Sequence, residues 1–199
     1  MKDLINNIII KLWKRFALHG IHYKDKYKKL NWLYYLKNPW ELTTPAEKYR
    51  YEKTNELIQE YFGKVASLLE VGCGEGYQSI YLIRVCDQLY GLDVSKRAIE
   101  RAKLRCPSAK YFYGDIYSEE VAKSSPYDLV LACEVLYYVK DIKNFLYRAN
   151  QLGKRCFFSY ISREINVLDP IIKSFTQANF GEISYENITW RIVWWSNMK

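Results

Sequence analysis

Histidine is almost missing from this chain: it occurs twice, as His19 and His22, ahead of every motif described below. That placement sets aside the commonest general base unless the N-terminal arm folds back over a site. Cysteine occurs five times (Cys73, Cys86, Cys106, Cys133, Cys156), at separations of 13, 20, 27 and 23 residues and with no C-x-x-C pair. Neither a zinc site nor a disulfide framework follows from such spacing. Each cysteine falls in or beside an expected core element, where a free thiol acts as a small apolar residue, so a reduced, cytoplasmic setting is expected. No apolar run approaches the roughly eighteen residues of a spanning helix. No secretory leader is expected either, because Asn6 and Asn7 interrupt the first apolar stretch and no small-residue cleavage site follows. Internal repeats and low-complexity segments are absent, and 199 residues leave room for one domain with an extension but not for a second catalytic domain.

Aromatic residues are plentiful, with 19 Tyr and 6 Trp. Such rings carry large apolar area with a polar tip and suit both a core and a binding cleft. The net charge of +8 is unevenly spread, since residues 1–40 hold nine lysines and arginines against Asp3 and Asp25. The remainder of the chain is near neutral, which confines any basic partner surface to the arm.

Residues 3–18 space Ile5, Ile8, Ile9, Leu12, Trp13 and Phe16 as one stripe of an amphipathic helix, with Lys11, Lys14 and Arg15 turned elsewhere. The stripe is expected to bury Ile5, Ile8, Leu12, Trp13 and Phe16 on the domain, near the mouth of the site. The alternative is a basic, Trp-bearing helix lying peripherally on an anionic membrane. Lys24 to Lys29, interleaved with Tyr23 and Tyr27, read as a solvated linker rather than a nucleic-acid patch. Thr44, Pro45 and Glu47 supply a helix start, and Gly63 ends that helix after Tyr61 or Phe62. Residues 1–63 are therefore expected to be a helical extension, with residues 64–199 as the main domain.

From about Ala66 the pattern alternates. Apolar runs at Leu68–Val71, Gln88–Leu92, Ala109–Tyr113, Tyr127–Ala132 and Cys156–Ile161 are separated by helical stretches. Ser95 caps one helix, with Ala98, Ile99, Ala102 and Leu104 facing the sheet. Asp141 opens another with Ile142, Phe145, Leu146 and Ala149. A further helix is expected from Asp169-Pro170 through Phe175. Gly181–Tyr185 and Ile188–Trp195, joined at Glu186-Asn187, read as a β-hairpin. This alternation predicts an α/β fold with a mostly parallel sheet and an antiparallel strand from the hairpin.

Chemistry concentrates at the strand ends. Leu68-Leu69-Glu70-Val71 breaks into Gly72-Cys73-Gly74-Glu75-Gly76, where alternate glycines allow positive φ and close approach of a ligand to backbone, and Ile80, Leu82 and Ile83 begin a helix beside the loop. A dinucleotide fingerprint would need a small residue at position 77, where Tyr77 stands, which disfavours a dehydrogenase. Asp93 ends the second run about twenty residues past Gly72, the separation at which a βαβ unit sets a carboxylate over a ribose diol. Asp115 follows the third run and Glu134 the fourth, so four acids should converge on one sheet edge. Ala132-Cys133-Glu134-Val135 is unlike the D/N-P-P-Y turn of amino-group DNA methyltransferases.

With these motifs in place, Asn38 to about Lys140 resembles the class I S-adenosylmethionine (SAM) methyltransferases, whose Rossmann-like sheet has seven strands. Within them it resembles the nodulation protein S (NodS) family, which N-methylates the amino sugar of lipo-chitooligosaccharides. The narrower likeness rests on Asn38-Pro39-Trp40, Tyr49-Arg50-Tyr51-Glu52-Lys53, Leu69-Glu70-Val71-Gly72-Cys73 and Cys133-Glu134-Val135-Leu136-Tyr137-Tyr138. The loop departs from the family at Gly74-Glu75, where small residues are expected. The resemblance implies SAM as cofactor, S-adenosylhomocysteine (SAH) as product and no metal. It assigns Gly72, Gly74 and Gly76 to the methionine and ribose side, Glu70 to the ammonium, Asp93 to the ribose, and Asp115 with Ile116 to the adenine. Glu134, Tyr137 and Tyr138 become the expected catalytic or acceptor-positioning groups. Trp40 joins the two tyrosines in facing a small-molecule or saccharide acceptor.

Overall fold

The computed structural model describes residue 10 and residues 12–197. Helix α1 covers residues 12–18. It is followed by α2 (Tyr27–Leu33), α3 (Pro45–Phe62), β1 (Val65–Val71), α4 (Ser79–Leu82), β2 (Cys86–Asp93), α5 (Lys96–Arg105), β3 (Lys110–Tyr113), α6 (Glu119–Lys123), β4 (Leu129–Cys133), α7 (Ile142–Leu152), β5 (Arg155–Ile161), α8 (Ile165–Phe175), β6 (Asn179–Tyr185) and β7 (Ile188–Ser196). The seven strands form one sheet in the order β3-β2-β1-β4-β5-β7-β6. The first five are mutually parallel, and β7 runs antiparallel between β5 and β6.

Both sheet faces are covered, as continuous apolar strands require. Successive residues of a strand point to opposite faces. Leu69, Val130, Ala132 and Phe158 accordingly pack with Phe145, Leu146, Leu168 and Ile172, while Leu68, Leu89, Leu129 and Phe157 pack with Ile58 and Leu82. Helix α3 belongs to that second core through Ala46 and Ile58. Its start is local chemistry: the Thr44 hydroxyl accepts from the Glu47 amide at 3.3 Å and Pro45 occupies the first turn. Glu47 does not complete a capping box, because its carboxylate turns to Arg50 at 2.6 Å. Ser95 and Asp141 cap α5 and α7 through the amides of Ala98 and Asn144.

Four expectations are corrected. Leu104 is 86% exposed, not sheet-facing, because α5 turns Ala98, Ile99 and Ala102 inward and ends at Arg105. Helix α8 starts at Ile165 and carries Pro170 inside it. A 3-10 turn at Ser162–Glu164 leads into it, and buried Asp169 fastens it by accepting from the Tyr160 hydroxyl at 2.6 Å and pairing with Arg191 at 3.1 Å. The basic stretch after residue 24 enters helix α2, whose N-cap Lys26 makes no side-chain cap bond. Packing of Leu30 and Leu33 on Ala17 and Ile21 holds it instead. On α1, Ala17 is buried and Trp13 half-buried, but Leu12 and Phe16 are 61% and 57% exposed. Ile5 and Ile8 lie outside the described residues.

Candidate active site

The strand order reverses between β1 and β4, the switch point at which open α/β sheets bind ligands beyond their strand ends. A cleft opens there with about 1230 Å³ of empty space, its mouth included. Glu70, Gly72, Gly74, Asp93, Asp115, Ile116, Glu134, Tyr137, Tyr138 and Trp40 all line it. Gly76 does not; its α-carbon backs onto α5, where an added Cβ would meet the Ala102 α-carbon at 3.1 Å. It serves loop-to-helix packing, with a φ of +78° that favours glycine.

The glycine loop is tied to its neighbour strand. Gly72 and Cys73 donate their amides to the Leu92 carbonyl at 2.7 and 3.0 Å, and Gly74 donates to the Asp93 carboxylate at 2.9 Å. The second Asp93 oxygen accepts from the Ser95 amide at 2.8 Å. Burial raises the Asp93 pKa to about 6, with these two amides opposing the rise. Glu70 is buried below the loop and accepts from the Ser79 hydroxyl at 2.5 Å. Burial pushes its pKa to about 8, against the pull of Ser79 and Arg50. Two buried carboxylates thus share one side of the cleft, Asp93 held by backbone amides and Glu70 by Ser79.

Glu134 leaves β4 with φ of +61°, a strained conformation for a side-chain-bearing residue and a recurrent mark of functional sites. Its amide bonds the Ser159 carbonyl at 2.9 Å, and its carboxylate accepts from the hydroxyls of Tyr137 at 3.1 Å and Ser159 at 3.3 Å. Burial raises its pKa, opposed chiefly by Arg50. Tyr137 and Tyr138 meet edge to face at 4.6 Å, and Trp40 stands 5.6 Å from Tyr138. Asp115 is half-buried, with one carboxylate oxygen accepting from the Tyr117 amide at 3.0 Å, and Ile116 is buried with its carbonyl on Arg148.

The N-terminal arm supplies the residues the sequence reading missed. Tyr27, Leu30, Tyr34 and Leu42 line the cleft, and from α3 so do Glu47, Arg50 and Tyr51. Arg50 is the one cationic side chain lining it among the described residues. Its signal was available: Ala46, Arg50, Thr54 and Ile58 share the buried stripe of α3, and a cation on such a stripe demands a partner. The arm also folds back. The Tyr23 amide bonds the Tyr137 carbonyl at 2.9 Å, and the His22 ring lies 5.6 Å from both Tyr137 and Tyr138. His22 is thus close in space to motifs from which it is remote in sequence.

A family model for nodulation protein S (NodS) matches residues 25–151. Nodulation protein S of Bradyrhizobium diazoefficiens is 35% identical over 109 residues, covering 53% of this chain and 51% of that protein. A ubiquinone biosynthesis O-methyltransferase of Pelagibacter ubique is 29% identical over 120 residues, covering 59% and 48%. The chain spans about half the length of the curated relatives it matches. Among solved structures, the N-methyltransferase NodS of Bradyrhizobium japonicum WM9 in complex with SAH superposes with a TM-score of 0.71 at 22% identity, over 88% of this chain and 100% of that one. This is the class I methyltransferase fold. The matched span takes in most of the chain and every strand-end acid of the cleft, from Glu70 to Glu134, and on that basis the chain belongs to the nodulation protein S family.

Proposed function

We propose that this protein is a SAM-dependent methyltransferase whose acceptor is an amine on a small molecule or saccharide, such as an amino sugar. One observation carries the reading: the ends of four parallel strands bring Glu70, Asp93, Asp115 and Glu134 into a single cleft beside positive-φ glycines, under a lid that contributes one arginine and several aromatic rings. Residues 1–63 are read as a helical extension, of which the stretch from Tyr27 to Tyr51 contributes this lid, and residues 64–199 as the SAM-binding domain.

The residues fit the cofactor's chemistry. Its ammonium and sulfonium suit Glu70, and a bound cation would restore the carboxylate that burial disfavours. Its carboxylate suits the Arg50 guanidinium. A ribose diol matches Asp93, whose oxygens keep acceptor capacity beyond the Gly74 and Ser95 amides. Asp115 and the Ile116 backbone are read as the adenine end.

When bound, SAM supplies an electrophilic methyl group on a sulfonium and leaves as the neutral thioether SAH. An ammonium acceptor must first lose a proton to expose its lone pair. Glu134 is the residue to take it, since its raised pKa makes the carboxylate a stronger base, and the Tyr137 hydroxyl fixes its position. The freed nitrogen would then face the methyl that SAM supplies, with Glu134 holding the acceptor's proton until it is released to solvent. Trp40, Tyr137 and Tyr138 offer faces on which sugar C–H groups stack. The likeness to O-methyltransferases supports a hydroxyl acceptor as the second reading.

A labelled-methyl transfer screen over amino sugars, chitooligosaccharides, small amines and phenols, read by mass spectrometry, tests the proposal. Methylation at nitrogen supports it, and methylation at oxygen alone moves the assignment to the second reading. SAM binding without transfer to any acceptor would reduce the protein to a binding module.

A further inference from the structure

The arm leaves several large apolar side chains on its surface. On α1, Leu12 and Phe16, four residues apart, point outward and are 61% and 57% exposed. The Phe16 ring stacks on Trp32 of α2, with centroids 6.4 Å apart and planes within 7°, and Trp32 is itself 39% exposed. Tyr35, one turn beyond Trp32, is 60% exposed. Large apolar side chains therefore stay exposed on α1, on α2 and in the turn after α2, while Ala17, Leu30 and Leu33 of the two helices pack inward with Ile21. Cations border the exposed side chains. Arg15 and Lys29 share a shallow groove with Leu12 and Phe16, the Lys29 ammonium lies 5.6 Å over the Phe16 ring, and the Arg97 guanidinium lies 3.8 Å over Tyr35.

From this juxtaposition we propose that the α1–α2 face is a peripheral docking surface for an anionic lipid membrane. The charge of the arm selects the occupant: residues 1–40 carry nine of the chain's lysines and arginines and two of its acids. Among anionic surfaces, an aliphatic side chain flanked by Phe and Trp and rimmed by Arg and Lys matches the headgroup-to-acyl boundary, where apolar groups enter hydrocarbon and cations stay with phosphates. A nucleic acid offers Leu12 no apolar medium to enter. Tyr27, Leu30 and Tyr34 of the same segment line the cleft, so docking would bring the cleft wall, with the cleft behind it, up to the bilayer. The inference concerns attachment and does not depend on the methyl-transfer reading.

The test uses the full chain and flotation with phosphatidylcholine vesicles, with and without phosphatidylglycerol. The wild type is expected to float with the anionic vesicles, and raised salt should weaken this by screening. A Phe16→Ser/Trp32→Ser double variant and an Arg15→Glu variant should each lose about ten-fold or more in vesicle affinity. Both should keep wild-type SAH affinity and circular dichroism, which shows that the loss is not unfolding. Absence of wild-type flotation, equal flotation on neutral vesicles, or undiminished flotation of the double variant overturns the proposal. So does light scattering that finds a wild-type dimer dissolved by Phe16→Ser/Trp32→Ser, since a second copy would then occupy the face.

Discussion

Replacing Glu75 by Gln should loosen the lid and weaken cofactor binding, although the side chain does not line the cleft. Glu75, in the glycine loop where the resemblance led to an expectation of small residues, is 1% exposed. Its carboxylate pairs with Arg101 and accepts from the Asn38 amide at 3.1 and 3.2 Å. Arg101 in turn donates to the carbonyls of Leu36 and Tyr34 at 2.7 and 2.9 Å. One buried carboxylate thereby ties the glycine loop and α5 to the segment that carries Tyr34 and Trp40 into the cleft. Gln preserves the volume and removes the charge. A charge-assisted hydrogen bond is worth about 1.5–3 kcal/mol. Arg101 keeps its two carbonyls and a side chain that is 26% exposed, so the loss should fall near the lower end, about 2 kcal/mol. If lid closure and cofactor binding are coupled, SAH affinity falls by roughly ten- to thirty-fold. Calorimetry measures it, and trypsin cleavage after Lys37 should quicken in Glu75→Gln even with SAH present. Wild-type affinity together with wild-type protease resistance in Glu75→Gln would refute the coupling.

Other expectations concern the cleft itself. Asp93→Ala should weaken SAM and SAH binding by about 2 to 4 kcal/mol, roughly thirty-fold or more, as calorimetry would report. Glu134→Gln should lower kcat about ten- to a thousand-fold with SAM affinity within a few-fold of wild type. Of Tyr137→Phe and Tyr138→Phe, only the variant whose lost hydroxyl touches the acceptor or Glu134 should lose activity. For stability, Glu70 has a folded pKa of about 8, above its ordinary value of 4.5, so its contribution is fully present below pH 4.5 and is lost as pH rises through 8. Apo Glu70→Gln should therefore melt higher than wild type above pH 8, with the gap closing toward pH 4.5 in calorimetric scans.

What the sequence disclosed was set by the range of the forces involved. The start of α3 was legible because Thr44 and Pro45 act within one turn, and the strand ends because acids and glycines there interrupt apolar runs. The four acids could be brought to one edge from the α/β alternation alone. Helix α8 was misplaced because Pro170 reads as a start signal, whereas the helix is held from outside by Asp169 on Tyr160 and Arg191, residues distant in sequence. Helix α2 was missed for a similar reason, since its fixing contacts come from Ala17 and Ile21. The stripe on α1 was visible as a period, but a period does not say which face the fold covers: Ala17, outside the expected stripe, is buried, while Leu12 and Phe16 stay exposed. Tyr34 lay in a segment without a strand-end motif, and although Arg50 stood out on the stripe of α3, only tertiary folding brings the arm over the cleft.

The most direct test of the account is to incubate the wild-type chain with SAM and an amino-sugar panel and follow SAH release together with methyl gain on the acceptor by mass spectrometry. Stoichiometric SAH and a single methyl on an amine are expected, both diminished in Glu134→Gln and Asp93→Ala. Failure of the wild type to bind SAM, or SAH formation and methyl gain that persist unchanged in both variants, would contradict it.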